Sequence, residues 1–234
     1  MAGDSFLVTC EHGGNRIPAR YRSLFPRHAA LLGTHRGFDP GALVMARQLA
    51  RALHAPLVTS TVSRLLIDLN RSIGHPQLFS AVTRGVNATR RKEIVEQHYL
   101  PYRAHVEQLV RRSVSSGRRV IHISSHSFTP ELHGKVRRAD VGLLYHPGRH
   151  GEVKLCARWK ESLARMAPDL RVRRNYPYAG KGDGLTSYLR QHFPPAAYVG
   201  VELEVNQEIV LAAGRRWTAL RGVLVESFRA TRAA

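Results

Sequence analysis

The chain has 234 residues, 43% of them hydrophobic, enough for a sizeable core and too apolar for a disordered segment. No apolar run approaches the roughly 20 residues a membrane helix needs, and Met1–Ser5 lacks the basic start of a secretory leader. Two cysteines, Cys10 and Cys156, cannot build a disulfide framework or a four-thiolate metal site, so a reduced cytoplasmic protein is expected.

The charge is strongly positive: 36 Lys+Arg against 17 Asp+Glu, or +19. That points to nucleic acid or an acidic small molecule. Only five of these cations are Lys, and the Arg are scattered with no basic block or interleaved aromatics. A solvated Arg surface is therefore favoured over a nucleic-acid face.

Apolar β-type runs alternate with helical patterns, the signature of an α/β domain. No repeat or linker divides the chain, so one domain over residues 1–234 is expected. A strand over 6–10 runs into the polar glycine loop Glu11-His-Gly-Gly-Asn15. Asp39-Pro40 reads as an N-cap followed by proline in the first helical position, opening a helix over 41–53. Short strands follow over 56–60 and 65–69, then an irregular loop over 72–88. A long helix covers about 90–113, with Ile94, Tyr102, Val106 and Val110 on one face, and Pro101 should kink it. Strands are predicted over 120–124 and 141–145, a helix over 153–166 and a strand over 170–173. A turn-rich loop over 175–184, a short helix over 186–192, a strand over 198–205 and a helix from about 214 to 232 complete the chain. The predicted architecture is a three-layer α/β/α sandwich around a largely parallel sheet.

Ligands of open α/β sheets gather beyond the carboxyl ends of the strands. His12 and His126 follow strands there, and two imidazoles with a carboxylate have the donor chemistry of a zinc site. Either His could equally be a satisfied core residue, and no HExxH or CxxC signature is present. Glu202 and Glu204 share one face of a late apolar strand. They are either exposed on an edge strand or partnered, one as a general base. Arg64 and Asp68-Leu-Asn-Arg71 form a fork-donor cluster that could grip an acidic substrate or close on itself as an ion pair, with Asp68 orienting an arginine. N-capping alone accounts for Asp39, and His35 could be a ligand or a loop residue. Cys10 and Cys156 read as core.

Taken together, six stretches carry a resemblance. They are Glu11-His-Gly-Gly-Asn15, His35-Arg-Gly-Phe-Asp-Pro-Gly-Ala42, Ser63-Arg-Leu-Leu-Ile-Asp-Leu-Asn-Arg71, His126-Ser-Phe-Thr-Pro130, Asn175-Tyr-Pro-Tyr178 and Glu202-Leu-Glu204. In this order the chain resembles the N-formylglutamate amidohydrolase family, a relative of zinc carboxypeptidases and aspartoacylases. The resemblance implies a phosphorylase/hydrolase-like fold and a Zn²⁺ cofactor held by His12 and His126. It implies Asn70 and Arg71 on the substrate carboxylate, Asn175 and Tyr178 beside them, Arg64 on the scissile carbonyl, and Glu204 rather than Glu202 as base. Asn15 stands where the carboxypeptidase pattern has its Glu ligand, so the third ligand is expected to be Asp39, with Glu11 as its rival.

The expected function is zinc-dependent hydrolysis of a small N-acyl amino acid carrying a carboxylate, such as N-formylglutamate. A carboxypeptidase or a deacylase of another N-acyl amino acid would use the same site. A basic nucleic-acid-binding protein without activity and a metal-free interaction module are the readings from other classes. Oligomeric state is left open.

Overall fold

The computed structural model describes residues 3–212 and 214–231. Its elements are β1 (Ser5–Cys10), α1 (Ala29–Leu32), α2 (Ala42–Leu53), β2 (Leu57–Thr59), α3 (Ala88–Ile94), α4 (Leu100–Ser115) and β3 (Val120–Phe128). A hairpin of β4 (Glu131–Leu132) and β5 (Lys135–Val136) follows, then β6 (Val141–Leu144), α5 (His150–Met166), β7 (Val172–Arg174) and α6 (Leu185–His192). The last elements are β8 (Tyr198–Asn206), α7 (Gln207–Leu211) and α8 (Gly214–Ala230). The final residue expected in that helix, 232, lies outside the described residues.

Six strands form one sheet in the order β2-β1-β3-β8-β6-β7. Pairs β1–β2, β1–β3, β3–β8 and β6–β7 are parallel, and β6–β8 is antiparallel. Side-chain alternation explains the three layers. Phe6, Val8 and Cys10 of β1, with Ile121, Ile123, Val199, Val201 and Leu203, form one core with α2, α5 and α8. Leu7, Val120 and Tyr198 point the other way, into a second core with α4, α6 and the segment around Leu65–Leu78. The expected α/β/α architecture is thus the observed one, with a mixed, mostly parallel sheet.

Four local differences have physical reasons. Residues 65–69 form turns, not a strand. Their apolar side chains are buried, but their backbone is satisfied locally: Ser80 Oγ donates to the Leu65 carbonyl and Asp68 N to the Leu78 carbonyl. Apolarity alone cannot tell such a segment from a strand. Second, α2 is capped by Gly41 at φ 77°, where Val210 and Trp217 occupy the space of a Cβ, and Asp39 turns its carboxylate elsewhere. Third, the stretch expected as one kinked helix is divided: a π turn over Val95–Tyr99 joins α3 to α4, and Pro101 falls in the first turn of α4, where a missing N–H costs least. Fourth, β3 continues through Phe128, so His126 lies within the strand rather than after it.

Candidate active site

The alternation that builds the cores also builds the site. On the α4/α6 side, β3 presents His122, Ser124 and His126, and β8 presents Gly200, Glu202 and Glu204. The register pairs Ser124 with Glu202 and His126 with Glu204. Since β8 lies between β3 and β6, the two glutamates are interior to the sheet, which corrects the edge-strand alternative. Hydroxyls of the neighbouring pleats, Ser125 and Ser127, donate to the carbonyls of Ala42 and Pro40 and fasten β3 to the start of α2, where Asp39 sits.

His12, Asp39 and His126 meet there, all buried. One nitrogen of each ring and one Asp39 oxygen lie within 4.8 Å of one another. The Nδ1 atoms face Asp39 Oδ2, at 3.3 Å for His12 and 2.8 Å for His126. Each Nε2 is held from behind by another carboxylate: Asp68 Oδ1 at 2.7 Å for His12, and Glu11 Oε2 at 3.0 Å for His126. Glu11 is the rear support and not part of the converging set. Its Oε1 also accepts from Tyr102 Oη and its Oε2 from Ser124 Oγ. Burial raises the carboxyls of Asp39, Asp68 and Glu11, but the imidazoles, Arg64 and the Ser124 hydroxyl outweigh it and hold all three well below the usual range. Burial opposes charge on His126, yet Asp39 and Glu11 push its pKa well up.

A cavity of about 350 Å³ opens over this cluster, lined also by Arg64, Asn70, Arg71, Ser127, Tyr178, Asp183, Glu202 and Glu204. Arg64 bridges Asp39 and Asp68, with Nη2 at 2.7 Å from Asp68 Oδ2. The Asn70 side-chain oxygen accepts from Leu185 N, and Arg71 Nη1 donates to the Asp183 carbonyl. Glu202 accepts from Thr186 Oγ1 at 2.7 Å, whereas Glu204 Oε2 is buried with no hydrogen-bond partner. Burial pushes the Glu204 carboxyl up to about 8; Asp39 and Glu202 add to this while His126 and Arg64 oppose it.

Of the residues expected in the site, His12, Asp39, Arg64, Asn70, Arg71, His126, Tyr178 and Glu204 are brought together. Asn175 is not among the lining residues. Its Oδ1 accepts from Tyr145 N and Gly180 N, and it shapes the loop instead, at φ 49°. His35 is exposed, and Cys10 and Cys156 are buried free thiols of the core. In the sequence Tyr102 shows only a place on a helix face, and nothing links Asp68 or Glu11 to the second nitrogens of the two imidazoles. No spacing rule reports such contacts between distant segments. The Tyr178 loop is anchored from below: Arg190 donates to the Gly180 carbonyl at 2.7 Å and the Gly200 carbonyl at 3.0 Å, and pairs with buried Glu152 at 2.9 Å.

Comparison with known proteins agrees with this frame. The family model described as N-formylglutamate amidohydrolase matches residues 4–211. Among solved structures, a gene product of Agrobacterium tumefaciens is 30% identical with a TM-score of 0.85, covering 98% of this chain and 91% of that one. An N-formylglutamate amidohydrolase from Ralstonia eutropha shares the fold at 17% identity and a TM-score of 0.71, covering 99% of this chain and 94% of that one. No curated protein sequence matches significantly.

A carboxylate-backed imidazole pair and an unpartnered glutamate at the carboxyl ends of a mixed α/β sheet, under a cavity holding guanidinium groups, mark a hydrolase acting on amides. Within that class, the chain belongs to the N-formylglutamate amidohydrolase family.

Proposed function

We propose that the chain is a zinc-dependent amidohydrolase of small N-acyl amino acids with an acidic side chain, of which N-formylglutamate is the type. The convergence of His12, His126 and Asp39 carries this reading. Asp68 and Glu11, both ionised, accept from Nε2 of each ring, which leaves Nδ1 as the atom that would turn to a metal; without one, a proton between His126 and Asp39 supplies the positive charge. Imidazoles and a carboxylate buried together need a positive charge among them, a proton or a metal ion. Imidazole and carboxylate donors with carboxylates behind them suit Zn²⁺, and His12, His126 and Asp39 would hold it. A bound zinc ion supplies Lewis acidity toward water and the amide carbonyl.

The chain's own groups do the rest. Glu204, paired in register with His126 and ionised once a positive charge is held beside it, takes a proton from the attacking water as its oxygen adds to the acyl carbon. The same carboxyl delivers that proton to the amide nitrogen as the C–N bond breaks, releasing formate and the free amino acid. Arg64, fixed by two aspartates, faces the charge that builds on the carbonyl oxygen. Asn70 and Arg71 take a substrate carboxylate, with Tyr178 beside them. Buried free thiols are compatible with a reducing compartment, so the cytoplasm is the proposed location.

Formate release from N-formyl-L-glutamate tests the reading. Zinc-loaded protein should turn it over, chelation should stop turnover, and zinc should restore it. Zinc-replete protein inactive on N-formyl, N-acetyl and dipeptide substrates alike would overturn it.

A further inference from the structure

Resting on the hydrolase reading, we propose that Arg137 is a specificity residue that receives the second carboxylate of a dicarboxylic substrate. The cavity itself has no spare cation for that group. Arg64 is neutralised by Asp39 and Asp68, and Arg71 is the one guanidinium left for a first carboxylate. Asp183, Glu202 and Glu204 line the same space and would repel a second one left inside it.

At the rim the balance reverses. Arg137 follows β5 and lies 4.9 Å from the centroid of the Tyr178 ring, and Tyr178 is a half-exposed cavity wall. Its Nη1 donates to Tyr178 Oη at 2.9 Å and reaches Thr129 Oγ1 at 3.5 Å, both neutral partners. Among the described residues no carboxylate pairs with it, and the Asp183 carboxylate on the cavity wall is taken up by Ser72. A partly buried guanidinium, held on one edge by a tyrosine and lacking a counter-ion, matches a planar carboxylate. The rim and Arg71 would then grip opposite ends of the substrate, which aims its acyl group at Glu204 and the two imidazoles.

Steady-state kinetics of the zinc-loaded wild type, Arg137→Gln and Arg137→Lys on N-formyl-L-glutamate and its neutral isostere N-formyl-L-glutamine test the assignment. The wild type should favour the glutamate substrate. In Arg137→Gln the glutamate-to-glutamine ratio of kcat/KM should fall roughly ten- to hundredfold, mainly through KM, and Arg137→Lys should retain part of the ratio. Equal proportional losses on both substrates would mean that Arg137 only props Tyr178, and would overturn the proposal while leaving the hydrolase reading intact. A wild type that favours the neutral substrate would overturn it too. A wild type that hydrolyses neither removes the hydrolase reading, and this assignment with it.

Discussion

His122 and His126 sit four residues apart on one face of β3, both buried, and their surroundings are opposites. His122 is held between two hydroxyls, Thr9 Oγ1 at 2.8 Å and Tyr198 Oη at 2.7 Å. Burial pushes its pKa down to about 4, so it stays neutral. His126 is held between two carboxylates and is pushed the other way. Hydroxyls can donate or accept to suit a neutral ring, and the upstream histidine is a closed, satisfied piece of core. Carboxylates only accept, and the downstream histidine is left in a cluster that needs positive charge. On the proposed reading the partners, more than the imidazole, decide which histidine does chemistry.

The sharpest way to break this contrast is at the residue beside His126. Glu204→Gln should lower kcat by about 10²–10⁴-fold, in line with loss of a general base, while zinc content by elemental analysis stays stoichiometric. Loss of turnover in Glu202→Gln alone would move the base one pleat along β8. Next comes the histidine pair itself. His126→Ala should leave the purified protein without bound zinc. His122→Ala should keep the metal and lose about 2–4 kcal/mol in denaturant unfolding, because it opens a void and strands two hydroxyls. Zinc retained by His126→Ala would dissolve the distinction between them. A smaller effect is expected behind the site: Asp68→Asn should weaken zinc binding about 10–100-fold in competition with a chromophoric chelator, since Asp68 holds the His12 ring at Nε2, 2.7 Å away.

The mildest test is pH. In the unfolded chain His122 takes up its proton near 6.5, and in the folded chain only near 4. Between those values the unfolded state binds more protons, so stability falls as pH drops through the window, by about 3 kcal/mol in all. His122→Asn should flatten that part of the stability profile relative to wild type. Parallel profiles for the two proteins would show that His122 is not buried neutral.

Much of the fold and part of the site are legible in the sequence, though nothing in it separates His122 from His126. Alternating apolar and helical segments gave the layers, and period-two alternation put Glu202 and Glu204 on one face. The ordered stretches from Glu11 to Glu204 marked most residues that meet at the cavity. What stayed hidden depends on which distant atoms touch. Asp39 satisfied a local rule, helix capping, and the fold uses Gly41 for that and turns Asp39 inward. Asn175 lies in a matching stretch but spends its side chain on its own loop. Asp68 and Glu11 act through imidazole nitrogens 56 and 115 positions away, which no local pattern encodes. Residues 65–69 mimic a strand because buried turns and buried strands share the same apolar composition.

The buried Glu152–Arg190 pair has a kinetic consequence. By tying Gly180 to the sheet at Gly200, it settles the shape of the wall that bears Tyr178 during folding rather than on encounter. A substrate then meets a finished mould, with little ordering entropy left to lose on arrival. On the proposed reading, association is expected as a single concentration-dependent phase, and a second, concentration-independent phase in stopped-flow binding would speak against a preformed wall.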